Sequence, residues 1–515
     1  MAALNDSDAG DVARAQLSGT SPAVGPSSGV YILQAARMVG TSSATIRMWE
    51  KYGLIHPERT SADYRIYSME QIARLRQIHR LSLEGVNPAG ILRILEEDNA
   101  LHVQVAHDGG GQRGRSVGET LRRYWHPIAA VDQLARDPVR PVRILGEDLV
   151  LYRDLRGVYG LVDKHCPHRR ADLSYGFVEE CGLRCNYHGW QFDESGACLS
   201  QPYEDVARPE ARFRDKIKIT SYPVEEKGGL LWAYLGPSPA PQCPDWEAFN
   251  WTNGFRQIVF SHVPCNWVQA QENSIDPVHF EWMHANWSTR LKGNLGPYAP
   301  THLKVDFDEF EFGFVYKRIT EGQSESSPLW TVGRVCLWPN GFYLGDHFEW
   351  RVPIDDENML SVVWAFNRVP VERQPYAQEG IPSWESPIKD PATGRWISSH
   401  IINQDIIAWV GQGAIADRSQ EHLGASDRGI SMIRKQWFED MDAVARGEDP
   451  KGLIRDPARN KAVALPDGSG KLRDGMSLVQ MRADPILSRG LLEFPFNYGQ
   501  PPEIRRAFED AMGLR

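Results

Sequence analysis

Residues 166–190 read CPHRRADLSYGFVEECGLRCNYHGW. Cys166-x-His168 is followed by sixteen residues and then by Cys185-x-x-His188. Two thiols and two imidazoles can hold a structural zinc ion. Zinc fingers, however, place the cysteine pair together and the histidine pair together. Here each loop offers one of each. That pairing suits an asymmetric [2Fe–2S] cluster, with both thiolates on one iron and both imidazoles on the other. Neutral rings in place of two anionic thiolates stabilise the reduced cluster and raise its potential. The outer ring N–H groups then face an electron partner. Cys181, Cys198, Cys243, Cys265 and Cys336 fall outside the pattern and read as packed thiols, and His165 as a loop neighbour.

The surroundings set this motif in a large chain. With 515 residues there is length for three or four domains. Apolar residues make up 42% and charged residues 24%, an ordinary globular composition that excludes global disorder. The net charge of −10 excludes a nucleic-acid coat. No apolar run approaches the ~20 residues a membrane span needs. Residues 1–29 lack the basic start and apolar stretch of a signal peptide and read as a disordered tail. Seven cysteines, sparse and odd in number, argue against a disulfide framework and for a reducing, cytoplasmic setting.

The organisation expected is multidomain. Residues 30–98 form an α-rich front domain and 99–116 a Gly-rich flexible linker. Residues 117–236 show short alternating runs such as PVRILGEDLVLYRD and GLLWAYLGP, an all-β domain. Residues 237–515 are mixed: a helical stretch near 266–286, strand-like runs FEFGFVYKRI, GFYLGDHFEWRV and MLSVVWAFNRV, and a helical end. That order reads as α+β. Residues 445–475 read as a long surface loop.

A second metal constellation lies at Glu272-Asn273-Ser274-Ile275-Asp276-Pro277-Val278-His279, continuing to His284. Two histidines and one carboxylate leave open positions on Fe(II), as O₂ activation requires. His279 and His284 are five apart, so an ideal helix splays them by about 140°. They converge only if the helix is distorted, and a π-bulge is the usual device. Either Asp276 caps a helix that starts at Pro277, or Pro277 kinks a longer one. A third ligand must come from a distant helix. Asp405, in NQDIIAW, is the best candidate, with Asp417, Glu421 and Asp427 as competitors and His422 as structural.

The flanking C-P-H-R and Y-H-G-W closely resemble the Rieske ferredoxin pattern. Followed by D-x-x-H-x4-H, they resemble the α subunit of Rieske non-heme iron ring-hydroxylating oxygenases. QDIIAWVGQGAIADRSQEHLGASD and RRYWHPIAAVDQL (122–134) are similar to the phthalate-dioxygenase-like branch. The resemblance covers roughly residues 117–515. It implies an antiparallel, helix-grip (START-like) catalytic domain and a cluster on Cys166, His168, Cys185 and His188. It implies mononuclear Fe(II) on His279, His284 and Asp405. Asp276 would bridge the centres, and Asn273 would be accessory. It also implies O₂ as co-substrate and NAD(P)H electrons arriving through a separate reductase, with or without a ferredoxin. The chain carries no dinucleotide-binding fingerprint of its own. A head-to-tail homotrimer, or a hexamer of two, is implied, with His188 of one chain reaching Asp276 of the next.

The reaction implied is di- or mono-oxygenation of a polar or carboxylated aromatic. Oxidative O- or N-demethylation with the same metals is the alternative. Arg290, Lys292, Lys317, Arg318 and Arg334 are candidate carboxylate partners, weighed against simple solvated charges.

The front domain holds nine Lys/Arg and five Asp/Glu between Arg37 and Arg93, an excess of four. Arg47-x-Trp49-Glu50-x-x-Gly53-Leu54-x-x-Pro57-x-Arg59, then Tyr64-Arg65-x-Tyr67, resembles the MerR-type winged helix-turn-helix. The resemblance implies DNA contacts from Arg47, Arg59, Tyr64 and Arg65. Thr41 or Ser42 caps the second helix, and the dimerisation helix usual in that family stops near Asp98. A protein-interaction module is the competing reading. An aromatic-sensing regulator built on an oxygenase scaffold is a further alternative. A missing metal ligand would have favoured it, and none is missing.

Overall fold

A computed structural model describes residues 30–59, 64–83, 88, 116–291, 293–298, 300–468, 474–484 and 497–515. The expected tail 1–29, linker residues 99–115 and the end of the front domain near Asp98 lie outside them. The chain divides into two compact units, residues 1–97 and 98–515.

In the first unit, Gly40 takes φ +80° and ends helix Ile32–Val39. Ser42 caps helix Ser43–Lys51 by accepting the Thr45 N–H at 3.0 Å. Ala35, Ala36, Val39, Ile46, Trp49, Leu54, Tyr67, Ile72 and Leu75 form a closed core. A three-stranded sheet runs Val30–Tyr31, Arg65–Tyr67, Glu58–Arg59, and helix Met69–Leu83 follows.

In the second unit, residues 125–234 build three small antiparallel sheets. Strand Trp125–Ala130 is buried along its whole length beside Leu230–Tyr234. The smallest sheet runs Cys198–Ser200, Gln191–Phe192, Leu183–Arg184, Phe177–Val178.

Beyond residue 250 an eight-stranded sheet runs His302–Phe310, Gly313–Thr320, Arg334–Leu337, Gly341–Tyr343, His347–Pro353, Met359–Arg368, Gly254–Val263, Ser383–Glu385. It is antiparallel except at its last pair, where Ser383–Glu385 lies parallel to Gly254–Val263. FEFGFVYKRI holds a hairpin rather than one strand, because the chain reverses at Glu311–Phe312 before Gly313. Helices Trp267–Asn273, Ile401–Gly411 and Arg428–Ala445 cover the sheet. Trp437 of the last meets Trp267 at 5.2 Å and Trp338 at 4.5 Å between ring centroids.

One hydrophobic core continues from Val117 through Trp232 to Trp437, so residues 117–236 and 237–515 share an interior. Trp232 packs edge-on to Trp350 at 5.1 Å. The stretch expected as a surface loop seals this junction. Gln242 N–H donates to Ile454 O at 2.7 Å and Glu247 N–H to Val463 O at 3.0 Å.

Gly429 shows how tightly helix Arg428–Ala445 approaches the metal-bearing segment. A Cβ there would lie 2.6 Å from Phe307 Cδ1 and 2.7 Å from Ile275 Cγ1, next to Asp276. Gly429→Ala is expected to cost about 1–3 kcal/mol of stability through overpacking, read as a lower Tm.

Candidate functional site

Two turns build the first centre. Cys166 N–H donates to Ala171 O at 2.9 Å, and Arg170 N–H returns to Cys166 O at 2.8 Å. In the second turn Cys185 N–H donates to Trp190 O at 2.8 Å, and Gly189 N–H returns to Cys185 O at 3.1 Å. Gly189 takes φ +75°, and a Cβ would meet Pro202 Cγ at 2.9 Å. Cys166 and Cys185 are 1% and 2% exposed and belong to a core with Leu173, Leu183 and Phe192. Burial, eased by the His168 N–H and reinforced by Cys185, pushes the Cys166 thiol up to about 12. His168 and His188 are exposed, their rings 4.4 Å apart. His168 stacks on Trp190 at 4.5 Å. The donors are therefore sorted, thiols inward and imidazoles outward. Among the described residues these four do not gather within 4.8 Å as ligands of one zinc would. The donor set fits a two-iron cluster.

The second centre depends on a break in helical geometry. Helix Trp267–Asn273 ends before Pro277, and Asp276 Oδ1 accepts the Val278 N–H at 2.8 Å. The chain restarts at His279 and runs as a π-helix through Phe280–Ala285. Hydrogen bonding from i to i+5 puts residues five apart on one face, which removes the expected splay. His279 Nε2 lies 3.7 Å and His284 Nε2 3.4 Å from Asp405 Oδ1. His279, His284 and Asp405 each place a ligand atom within 4.8 Å of the other two.

Each opposite ring nitrogen has an acceptor nearby. His284 Nδ1 is 2.9 Å from Gln404 Oε1, an acceptor that keeps the proton on Nδ1. His279 Nδ1 is 3.4 Å from Asp276 Oδ2. Burial pushes Asp276 up, but His279 and the Val278 and His279 N–H groups outweigh it and hold it below the usual carboxylate range. Burial lowers His284, but Asp405 outweighs it and raises it, so the pocket favours positive charge at Nε2. His284 Nε2 is a buried atom without a hydrogen-bond partner. A lone pair facing a carboxylate there fits a cation between them. Asn273 Nδ2 donates to Asp405 Oδ1 at 3.3 Å.

The competitors lie elsewhere. Asp417 accepts the Ser419 N–H at 3.1 Å, Glu421 pairs with Arg434 at 2.8 Å, and Asp427 accepts the Gly424 N–H at 2.7 Å. His422 is exposed. Sequence reasoning missed Gln404, whose amide carries no spacing signal. It also missed Glu281, which sits within the π-helix. Glu281 takes Arg318 Nη2 at 2.6 Å and lies 3.0 Å from His302 Nε2. Burial pushes Glu281 up, but Arg318 outweighs it and lowers it. Glu281→Ala is expected to strand a buried guanidinium and cost up to about 3 kcal/mol. Iron content should fall at the second centre while cluster absorbance stays.

In the front unit, Arg47 is exposed on helix Ser43–Lys51, and Tyr64 is 64% exposed. Arg65 Nε pairs with Glu50 at 2.6 Å and Arg59 Nη2 at 3.3 Å. Glu50 thus ties the wing strands to the second helix.

Comparison with known proteins places the chain among named families and relatives. The Rieske [2Fe-2S] domain model matches residues 124–223. The model of the MerR HTH family regulatory protein matches residues 31–98. A model described as LigXa C-terminal domain like matches residues 393–465. The chain is 59% identical over 402 residues to the 5,5'-dehydrodivanillate O-demethylase oxygenase subunit of Sphingobium sp. (strain NBRC 103272 / SYK-6), covering 78% of this chain and 94% of that protein. It is 33% identical to the phenoxybenzoate dioxygenase subunit alpha of Ectopseudomonas oleovorans over 66% of this chain and 85% of that one. It is 29% identical to the phthalate 4,5-dioxygenase oxygenase subunit of Pseudomonas putida over 69% of this chain and 88% of that one.

Proposed function

Because the chain belongs to the Rieske non-heme iron oxygenases, we infer that it is the oxygenase subunit of an aromatic O-demethylase acting on a carboxylated aryl methyl ether. The observation that carries this is the 59% identity along 94% of a demethylase oxygenase subunit. Members of the family use a [2Fe–2S] cluster, mononuclear iron and O₂. Bound iron supplies the activation of O₂, drawing on electrons relayed through the cluster. The net change is aryl methyl ether, O₂, two electrons and two protons giving a phenol, formaldehyde and water.

The chain's own residues set the geometry. Cys166, Cys185, His168 and His188 hold the cluster, with the imidazoles at the surface where an electron donor reaches them. Gln404 fixes the His284 tautomer and aims Nε2. Asp276 places a negative charge 3.4 Å from His279 Nδ1, and Asn273 steadies Asp405. Two neutral rings and one carboxylate leave a bound dication with net positive charge and open positions. No described helix is long and apolar enough to cross a membrane. All seven cysteines are free, which supports work in a reducing cytoplasm beside a separate reductase.

The test is reconstitution with a surrogate reductase, NADH and 5,5'-dehydrodivanillate. One formaldehyde is expected per methyl group lost. A ring diol released without formaldehyde would instead assign dioxygenation.

The front unit supports a second role, DNA binding, through the MerR-family match and exposed Arg47. Readers of this type bind as two-fold pairs, which a trimer lacks and a stacked pair of trimers supplies. Binding to the chain's own promoter is expected to weaken steeply with salt. Arg47→Ala should cost about 1–3 kcal/mol of binding without touching turnover. Arg65→Ala should also loosen Glu50. Absence of retention at low salt would make the unit an interaction module.

A further inference from the structure

Five basic residues stood as candidate partners for a substrate carboxylate, and the structure separates them. Arg290 lies over the Tyr298 ring at 4.3 Å and donates to Asn294 O at 3.0 Å. Lys317 pairs with Asp308. Arg318 is 2% exposed and spends its fork on Glu281, with contacts at 2.9 and 2.6 Å. Lys292 lies outside the described residues. Arg334 differs from the others. Its Nε and Nη1 are buried without a hydrogen-bond partner.

Its position follows from strand register. Tyr316 and Arg318 are two apart on one strand and so share a face. Arg334 stands directly across from Tyr316 on the next strand. The Arg334 guanidinium lies over the Phe280 ring at 3.7 Å. Phe280 packs against both metal-site histidines, its ring centroid 5.3 Å from His279 and 5.4 Å from His284, with the two histidine rings 5.6 Å apart. The guanidinium therefore lies against the ring that packs on both histidines. The Tyr316 hydroxyl is buried beside the guanidinium, close enough to interact with it, though without a well-formed hydrogen bond.

Charge makes the case. Two guanidiniums, Arg318 and Arg334, flank a single carboxylate, Glu281, which Arg318 engages twice. One positive charge is left over, its Nε and Nη1 enclosed while the residue as a whole keeps partial exposure. Burial, and then Arg318, lower the Arg334 pKa to about 10, so it stays cationic at neutral pH. Buried charges in proteins are paired, because an isolated one is costly. A planar guanidinium with two free edges matches a carboxylate fork. We propose that Arg334, assisted by the Tyr316 hydroxyl, anchors the carboxylate of the aromatic substrate, with Phe280 beneath the guanidinium. The anchor rests on the O-demethylase reading for the identity of the acid. It is a specificity residue and takes no part in the oxidation itself.

The experiment compares wild-type holoenzyme with Arg334→Gln and Arg334→Lys. Anaerobic calorimetric titration with 5,5'-dehydrodivanillate reads binding without turnover. Arg334→Gln is expected to weaken the diacid roughly tenfold to a hundredfold. It should leave the dimethyl ester of the same compound within about threefold of its wild-type affinity. Arg334→Lys should recover part of the loss. An unchanged cluster EPR signal establishes that the variants fold. Equal affinity of wild type and Arg334→Gln for the diacid would overturn the anchor, as would equal weakening of acid and ester. Formaldehyde release by the wild type tests the demethylase reading separately. Wild type that binds the acid through Arg334 without releasing formaldehyde would keep the anchor and sink that reading.

Discussion

Asp276→Asn is expected to leave both metal centres loaded and to cut turnover by at least about a hundredfold. The substitution is nearly isosteric. The amide oxygen still accepts the Val278 N–H that the carboxylate takes at 2.8 Å, so the turn before the π-helix survives. What disappears is the negative charge 3.4 Å from His279 Nδ1. That charge keeps the proton on Nδ1 and makes Nε2 the better donor. The variant should show a normal Rieske EPR signal, three irons per chain and a slow single turnover from the reduced cluster. Normal turnover would remove Asp276 from the path between the centres.

The exposure of His168 and His188 gives this result an oligomeric consequence. In the head-to-tail trimer that the family resemblance implies, exposed His188 of one subunit would meet Asp276 of the next. Co-expression of His168→Ala chains with Asp276→Asn chains separates the two routes. Between subunits, an intact cluster on one chain serves an intact Asp276 on another, and activity returns in part. Within a chain every subunit is defective, and none returns.

Legibility in the sequence followed the range of the interactions. The cluster ligands lie on two local turns, so their pairing and the flanking motifs pointed to the cofactor. The π-helix was visible only as a geometric conflict between His279 and His284. Within it Glu281 is held from a distance in sequence by Arg318 and His302, contacts that no local spacing announces. Gln404 was invisible, because an amide beside Asp405 looks like any helix surface until His284 packs on it. The run ending at Ile319 read as one strand because its apolar alternation continues through Glu311–Phe312, where the chain turns. Arg334 was indistinguishable from four other cations until burial and pairing were known.

Asp405→Ala is expected to abolish turnover and to lower iron from three to two per chain, with the cluster intact. The physical reason is charge. His279 and His284 are neutral donors in a buried pocket, and Asp405 is the anion placed against both Nε2 atoms. Without it a dication enters a site with no anionic ligand, which burial penalises heavily; Asp276 acts only through the far side of His279. Gln404→Leu should be graded rather than absolute. It leaves three ligands but frees the His284 ring, so iron affinity is expected to fall about 10–100-fold. Asn273→Ala removes only one donor to Asp405, at 3.3 Å, and should fall less. Competition with a chelator followed by iron analysis measures all three. The order matters more than any single value. A third iron retained by Asp405→Ala would require another carboxylate to reach the histidines. Asp417, Glu421 and Asp427 follow it in sequence, and each is engaged in a turn, an ion pair or a cap of its own.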